Sequence, residues 1–256
     1  MSLFINSQKA PIISIEGNIG SGKSTLMIEL KKSFENTPNV VFLQEPVDEW
    51  NTIRDEKGRT MIEKFYADQT KYSFSFQMMA YISRLATIRK EIHNNPNCVF
   101  ISERCLHTDK YVFAKMLFDD NKIESVDYQI YNKWFDTFIE DFEITNLVYI
   151  KTTPEVCLER IAKRARHGES NIPIEYLESC GAYHDSMMHE MKCDVDVLDG
   201  NINNATNPNN VQSWVYRING IVSKLSGDIQ KRRLSSSSGS GSGSGSDSEL
   251  FKSKTD

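Results

Sequence analysis

The 256-residue sequence has no apolar run of about 18 residues, the length at which a membrane-spanning helix becomes a candidate. Its N-terminus, MSLFINSQKA, also lacks the extended apolar region of a secretory signal peptide. We therefore expect an intracellular, cytoplasmic protein with no membrane partner.

Cysteine and positive charge are both scarce. The five cysteines are odd in number and none belongs to a C-x-x-C pair, so we expect neither a disulfide framework nor a metal cluster. The 30 Lys and Arg residues are outnumbered by 35 Asp and Glu residues, which gives a net charge of −5. Proteins that bind nucleic acid usually concentrate Lys and Arg, so we expect no nucleic-acid partner.

The sequence does contain what an ordinary globular domain needs, with 39% hydrophobic and 25% charged residues. Its last part changes in character, because residues 235–246 read SSSSGSGSGSGS. Such a segment cannot bury enough apolar surface to fold. We predict one folded domain over residues 1–230 and a disordered Ser/Gly-rich tail over residues 231–256.

Short apolar runs alternate with longer stretches of helical spacing, which predicts an α/β fold with a parallel sheet flanked by helices. Ligands of such sheets bind at the carboxyl ends of the strands. The predicted strands are Ile12–Glu16, Val40–Gln44, Cys98–Ser102, Asn146–Lys151 and Val195–Leu198. The predicted helices are Lys23–Glu35, Phe74–His93, Tyr111–Phe118, Val126–Phe142, Pro154–Ala165 and Ile174–Met191.

Residues 17–24 fit the phosphate-binding pattern G-x-x-x-x-G-K-[ST] between the first strand and the first helix. Its backbone N–H groups and the helix N-terminus can hold an anion, and Lys23 can reach the β- and γ-phosphates. Ser24 is expected to bind Mg²⁺. A glycine-rich turn without a ligand would not require this order of strand, loop, lysine and hydroxyl. The predicted nucleotide-binding residues are Gly17, Asn18, Ile19, Gly20, Ser21, Gly22, Lys23, Ser24 and Thr25.

Glu45 comes directly after the second predicted strand, in the segment QEPVDEW. A carboxylate at the carboxyl end of a strand, beside a bound triphosphate, can accept the proton of an attacking hydroxyl. A solvated loop charge is the commoner role of a single glutamate. Its position favours Glu45 as a general base.

Six segments, in this order along the chain, are together similar to the deoxynucleoside kinase family, and within it to the deoxycytidine and deoxyguanosine kinases. The resemblance spans about residues 11–200. It implies a P-loop kinase fold with a helical lid at about residues 160–170, and a homodimer. The segments are IEGNIGSGKST (15–25), EPVDEW (45–50), SFSFQMMAYISRL (73–85), SERCLHTDKYVFAK (102–115), TTPEVCLERIAKRAR (152–166) and IPIEYLE (172–178).

The resemblance implies catalytic roles for residues at the strand ends. Glu45 matches the base that takes the proton of the nucleoside 5′-hydroxyl, and Arg104 matches a residue that contacts the 5′ end of the nucleoside. Glu103 matches a carboxylate that helps to place Mg²⁺. Lys23 and the lid arginines would stabilise the charge on the transferred phosphoryl group. The lid arginines are Arg160, Arg164 and Arg166.

The same resemblance implies a nucleoside pocket. Trp50 matches a pocket-wall aromatic, and Gln77 matches the amide that pairs with the base edge. Gln77, Ala80, Tyr81 and Arg84 are spaced i, i+3, i+4 and i+7, so they share one face of a helix. From the residues alone, we would assign Tyr81 to the core and Gln77 to the surface.

Two further groups concern the sugar and the base. Tyr66 and Glu169 match residues that share the sugar 3′-hydroxyl. Arg84 and Asp109 match the charged pair of deoxycytidine and purine kinases, whereas thymidine-accepting members tend to carry uncharged residues there. The resemblance therefore implies a preference for deoxycytidine or a purine deoxynucleoside over thymidine.

These features together predict a kinase that transfers the γ-phosphoryl of ATP, or another nucleoside triphosphate, to the 5′-hydroxyl of a deoxyribonucleoside with Mg²⁺. A nucleoside monophosphate kinase of similar fold is one alternative, and it needs extra basic residues for the acceptor phosphate. A non-catalytic switch that binds a triphosphate is another. Such a switch does not require Glu45, Gln77 and Tyr66 to occur together.

Overall fold

A computed structural model describes residues 10–165, 169, 172–202 and 207–238. These residues contain a five-stranded, all-parallel sheet, which confirms the predicted architecture and fits the P-loop kinase fold. The strand order is β2-β3-β1-β4-β5. The strands are β1 (Ile12–Glu16), β2 (Val40–Leu43), β3 (Val99–Glu103), β4 (Ile144–Lys151) and β5 (Asp194–Asp199).

Ten α-helices cover the sheet in the part of the chain that the structure describes. A π-helical segment, Asp109–Ala114, joins two of them, and a 3₁₀ turn, Ile139–Asp141, precedes β4. The helices are α1 (Lys23–Ser33), α2 (Val47–Trp50), α3 (Met61–Ala67), α4 (Gln69–Asn94), α5 (Leu106–Thr108), α6 (Lys115–Asp119), α7 (Ser125–Phe138), α8 (Pro154–Arg164), α9 (Ile174–Glu190) and α10 (Pro208–Ser238).

Both faces of the central strands are buried, so successive residues enter different cores. In β1, Ile13 and Ile15 belong to the core beneath α1 and α10, whereas Ile12 belongs to the core beneath α4 and α7. The same alternation separates Phe100 from Ile101 in β3. Two helical layers therefore hold the sheet rigid, and its carboxyl edge stays open.

Helix α10 is the main element that the sequence analysis missed. Its apolar positions Val211, Trp214, Ile218, Val222 and Leu225 recur every three or four residues and pack into the core beneath α1. Asn, Ser and Gly residues between these positions hide the periodicity, because their helix propensities are low.

Helix α10 extends past the predicted domain boundary. The helix runs to Ser238, beyond the boundary set after residue 230. Lys, Arg and Leu are good helix formers, and the segment Lys231–Leu234 continues the helix before the Ser/Gly repeat begins. Residues 239–256 lie outside the described part, so the disordered tail stays a prediction. None of the described helices is long and apolar enough to cross a membrane.

Candidate active site

The carboxyl ends of three neighbouring strands bring the predicted catalytic segments together. The predicted phosphate-binding loop, residues 17–24, follows β1, Glu45 follows β2, and Glu103 and Arg104 lie at the end of β3. A cavity of about 500 Å³ opens at this edge of the sheet. It has room for a small organic ligand beside the loop.

The phosphate-binding loop depends on glycine at two close approaches. Gly17 and Gly20 have positive φ angles of 144° and 80°, which favour glycine. A Cβ atom at Gly20 would lie 2.6 Å from the carbonyl oxygen of Cys157 at the start of α8. The loop residues Ile19, Gly20, Gly22, Lys23, Ser24 and Thr25 line the cavity, whereas Gly17, Asn18 and Ser21 do not.

Lys23 begins α1, and its ammonium group is folded back on the loop. Its Nζ donates to the carbonyl oxygens of Gly17 at 3.1 Å and Asn18 at 2.8 Å. Burial, assisted by the positive charge of Arg104, lowers the pKa of Lys23 to about 8. An anionic phosphate at the loop would favour the charged form of this lysine.

Ser24 and Glu103 form a pair of oxygen ligands beside the loop. The Ser24 hydroxyl donates to Oε1 of Glu103 at 2.7 Å. The described residues contain no cluster of three or more His, Cys, Asp or Glu side chains suited to a metal. Mg²⁺ in kinases is commonly held by one or two protein oxygens together with substrate phosphates. The pair fits such an ion.

Glu45 lies between two arginines. Its Oε1 accepts from Nη2 of Arg84 at 3.1 Å and lies 3.3 Å from Nε of Arg104. Burial acts to raise the pKa of Glu45, but the charges of Arg104 and Arg84 outweigh burial and lower this pKa below its usual value. The Glu45 carboxylate is therefore ionised at neutral pH and can accept a proton.

Arg84 also holds Asp109. Its Nε donates to Oδ2 of Asp109 at 2.9 Å, and its Nη1 donates to the carbonyl oxygen of Glu103 at 2.8 Å. Both side chains are only 3% exposed. Burial raises the pKa of Asp109 to about 6, although the charge of Arg84 opposes this shift.

Arg104 adopts a backbone conformation that is rare for a residue with a side chain, with a φ of 67°. Its Nη1 donates to the carbonyl oxygen of Gly17 at 2.9 Å, and its guanidinium lies 4.8 Å from the ring centre of Phe113. The strained turn after β3 thus directs the guanidinium to the base of the phosphate loop.

Helix α4 supplies one wall of the cavity through Gln77, Ala80 and Arg84. Trp50 lines the cavity too, because its indole N–H donates to the Ser83 hydroxyl at 2.7 Å and fixes the ring. Three of the four predicted positions on this helix therefore line the cavity.

Tyr81, the fourth predicted position, does not line the cavity. Its hydroxyl donates to the carbonyl oxygen of Trp134 at 3.1 Å, and its ring packs against Tyr131 and Phe135 of α7. Residue 81 lies on the side of the α4 face that α7 covers, whereas Gln77 and Arg84 lie on the open side. The structure therefore places Tyr81 in the core and does not bring it to the cavity with Gln77, Ala80 and Arg84.

Tyr66 and Glu169 both line the cavity. Burial and the nearby Glu169 charge raise the pKa of the Tyr66 phenol, so this hydroxyl stays protonated. Glu169 forms an ion pair with Arg164, and Nη1 of Arg160 donates to the carbonyl oxygen of Ser21 at 3.1 Å.

Arg166, the last of the predicted lid arginines, lies outside the described residues. The predicted lid at residues 160–170 is thus only partly described, and closure of this segment stays a prediction.

Sequence reasoning missed the apolar lining of the cavity. Phe65 and Phe76 stack with ring centres 4.5 Å apart, and Phe76 also meets the edge of Trp50. Phe113 and Tyr176 line the side nearer the loop. Only Phe113 could have been suspected from the sequence, because it lies four residues after the predicted site residue Asp109 and residues four apart share one face of a helix. The other aromatics have the spacing of ordinary core residues. The remaining apolar lining residues are Val47 and Ile62.

Comparison with known proteins identifies the family. A profile of the deoxynucleoside kinases matches residues 13–223, which span most of the chain. The chain belongs to the deoxynucleoside kinase family. It is therefore a nucleoside kinase, a phosphotransferase that takes a phosphoryl group from a nucleotide donor and acts in nucleotide salvage.

Individual members of the family are similar over most of their length. A probable deoxycytidine kinase of fowlpox virus is 34% identical over 83% of this chain and 88% of its own. Deoxycytidine kinase 2 of Gallus gallus is 33% identical over 72% of this chain and 76% of its own. Human mitochondrial thymidine kinase 2 is 31% identical over 71% of this chain and 65% of its own.

Proposed function

We propose that this deoxynucleoside kinase transfers the γ-phosphoryl of ATP, or another nucleoside triphosphate, to the 5′-hydroxyl of deoxycytidine or a purine deoxynucleoside in preference to thymidine. The observation that carries the proposal is the ionised Glu45 carboxylate, held by Arg84 and Arg104 at the same sheet edge as Lys23. A base and a phosphate-binding lysine face one cavity.

In the proposed mechanism, Glu45 takes the proton of the 5′-hydroxyl while the hydroxyl oxygen attacks the γ-phosphorus. The bond from phosphorus to the bridging oxygen breaks, and the nucleoside diphosphate leaves. Lys23, Arg104, Arg164 and Arg166 would stabilise the charge that develops on the transferred group. Ser24 and Glu103 would hold Mg²⁺, which neutralises phosphate charge when it is bound.

Base preference follows from the Arg84–Asp109 pair. A Gln77 amide offers one donor and one acceptor, and it can pair with several base edges. Asp109, when ionised, only accepts hydrogen bonds, so it favours the exocyclic amino groups of cytosine and adenine. Thymine presents a carbonyl oxygen and a methyl group instead. The bulk of Arg84 beside Asp109 leaves less room for that methyl group.

The acceptor end of the cavity supports a nucleoside rather than a nucleoside monophosphate. A monophosphate acceptor requires cationic side chains that are available for its phosphate. Arg84 and Arg104 are the cations nearest Glu45, and each is already paired with a carboxylate. A second phosphate would have to compete with Glu45 and Asp109.

We also propose a homodimer formed through α4 and α7. Three apolar residues spaced four apart on α7 are exposed, namely Val126 (57%), Ile130 (41%) and Trp134 (46%). Ile82 on the adjacent α4 is 42% exposed. An apolar stripe shared by two packed helices suits a self-complementary interface in a two-fold dimer.

A transfer assay with labelled γ-phosphate tests the function. Purified protein, Mg²⁺ and ATP are incubated separately with deoxycytidine, deoxyadenosine, deoxyguanosine, thymidine and deoxycytidine monophosphate. We expect labelled 5′-monophosphates, with thymidine the poorest nucleoside and no labelled diphosphate from the monophosphate. Lys23→Ala provides a control for contaminating kinases. Efficient labelling of the monophosphate would contradict the proposed acceptor, and comparable rates for thymidine would contradict the base preference.

A further inference from the structure

His184 is a fully buried histidine on α9 that the proposed mechanism does not use. Its Nδ1 lies 2.7 Å from the carbonyl oxygen of Cys180, one helical turn earlier. A carbonyl oxygen can only accept, so Nδ1 carries the proton and donates. The ring stacks on Tyr149 and meets the edge of Phe113, each with ring centres 6.1 Å apart. These contacts fix the orientation of the imidazole.

The other ring nitrogen faces the active site. Nε2 of His184 lies 3.4 Å from Nη1 of Arg104, and a guanidinium has no acceptor atom. Nε2 is unprotonated in the tautomer set by Cys180, so it accepts from Arg104. Burial, the Arg104 charge and Lys23 keep the pKa of His184 well below its ordinary value. The imidazole is therefore neutral at the pH where the enzyme works.

We propose that His184 is a positioning residue that fixes the Arg104 guanidinium against Glu45. Nη1 of Arg104 is held by His184 and by the Gly17 carbonyl, while Phe113 covers one face of the guanidinium. These contacts direct Nε to Glu45 at 3.3 Å. The inference rests on the proposed roles of Glu45 and Arg104, and it connects α9 to the base through one guanidinium.

His184→Gln and His184→Met provide a matched test, because the two replacements have nearly the same length. The glutamine amide oxygen can accept from Arg104, whereas the methionine thioether is a weak acceptor. We expect kcat of His184→Met to fall by about 10- to 100-fold, the factor that a hydrogen bond to a charged group contributes. His184→Gln should recover most of this loss, while nucleoside Kd stays unchanged in both.

The pH profile gives a second readout. Glu45 is faced by Lys23 of α1, Arg84 of α4 and Arg104 after β3, and each of these charges lowers the pKa of Glu45. Asp109 and the Tyr66 phenol of α3 also interact electrostatically with Glu45. When Arg104 is no longer fixed, the pKa of Glu45 rises. The acidic limb of kcat should therefore move to higher pH in His184→Met, but not in His184→Gln.

Met187→Ala is the control for a purely structural effect. Met187 is buried on the same helix, one turn further on, and does not line the cavity. This variant should lower Tm and leave the acidic limb in place. If His184→Met retains the wild-type acidic limb, the positioning role is wrong. It is also wrong if the fall in kcat of both His184 variants merely parallels their fall in Tm. His184→Leu replaces His184→Met should the latter fail to fold.

The test of His184 can fail independently of the test of the proposed function. If Glu45→Gln retained activity, Glu45 would not be the base, whatever the His184 variants did. If Glu45→Gln lost activity while His184→Met matched the wild-type kcat and pH limb, the proposed mechanism would survive and the role of His184 would be overturned.

Discussion

A single guanidinium, that of Arg84, joins the proposed base Glu45 to Asp109, the residue proposed to select the nucleobase. It donates to Glu45, to Asp109 and to the main chain at Glu103. A planar fork of donors can hold two carboxylates at once in a fixed geometry, which the ammonium group of a lysine cannot do. Under the proposed roles of Glu45 and Asp109, base recognition and proton transfer are therefore coupled through one buried side chain.

Glu45→Gln tests the base directly. Glutamine preserves the size of the side chain and removes the proton acceptor, so we expect kcat to fall by about 10² to 10⁴, the usual contribution of general acid–base catalysis. Nucleoside Kd, measured by fluorescence titration, should change little. Because Arg104 and Arg84 lower the pKa of Glu45, we expect the acidic limb of the wild-type kcat profile to lie below the ordinary glutamate range and to disappear in the variant. Turnover within a few-fold of wild type would show that Glu45 is not the base.

Replacing Arg84 and Asp109 together tests base selection. In Arg84→Val/Asp109→Ala, the charged pair is removed without leaving either charge buried and unpaired. We expect the ratio of kcat/KM for deoxycytidine to that for thymidine to fall, because the 5-methyl group gains space and the carboxylate acceptor is lost.

The ratio of kcat/KM values is the readout in that experiment, not kcat itself. Because Arg84 also contacts Glu45, its replacement will lower kcat for every nucleoside. Asp109→Asn is the matched single variant, which keeps the bulk and removes the charge. An unchanged ratio in the double variant would mean that base choice lies elsewhere in the cavity.

Residues with a distinctive chemistry were the ones that the sequence could identify. Lys23 belongs to a phosphate-binding sequence pattern and Glu45 directly follows a predicted strand, so phosphate binding and proton transfer could be predicted for them. His184 could not be found in this way, because nothing in the sequence distinguishes a buried histidine on a helix from core packing. Its position under Arg104 appears only when α9 is packed against the end of β3.

At the scale of elements, the central strands were predictable because buried parallel strands consist of continuous apolar residues. β1 was predicted with its observed bounds, Ile12–Glu16. Helix α3 was missed because it is short, and only its capping box, formed by Thr60 and Glu63, marks its start. Periodicity on α4 predicted which residues share one face of the helix but could not say where α7 covers that face. It therefore grouped Tyr81, which packs against α7, with the residues that line the cavity.

The exposed apolar residues of α7, Val126, Ile130 and Trp134, predict a homodimer. Trp134→Glu places a charge at the centre of the proposed interface, and desolvating an unpaired charge is strongly unfavourable. We expect the variant to sediment as a monomer, while the wild type sediments as a dimer. Tyr216→Glu is the control, because Tyr216 is 81% exposed on α10, away from α4 and α7. A dimeric Trp134→Glu, or a monomeric wild type, would refute the interface.

At the scale of the whole molecule, α10 packs against α1, the helix that follows the predicted phosphate-binding loop. Trp214 and Ile218 of α10 pack into the same core as Leu26 and Met27 of α1, the helix that begins with Lys23. The C-terminal helix thus supports the phosphate-binding loop without contributing to the cavity lining.

Two truncations separate the helix from the tail. A chain that ends at Ser238 keeps every apolar contact of α10, and all residues with a proposed catalytic, binding or positioning role lie before position 185. We expect its kcat/KM and Tm to equal those of the full chain. A chain that ends at Asn207 lacks α10 and exposes the α1 core, including the surface that Trp214 covers, so it should not fold cooperatively in a thermal melt. A marked loss of kcat/KM in the chain that ends at Ser238 would show that residues 239–256 belong to the catalytic unit.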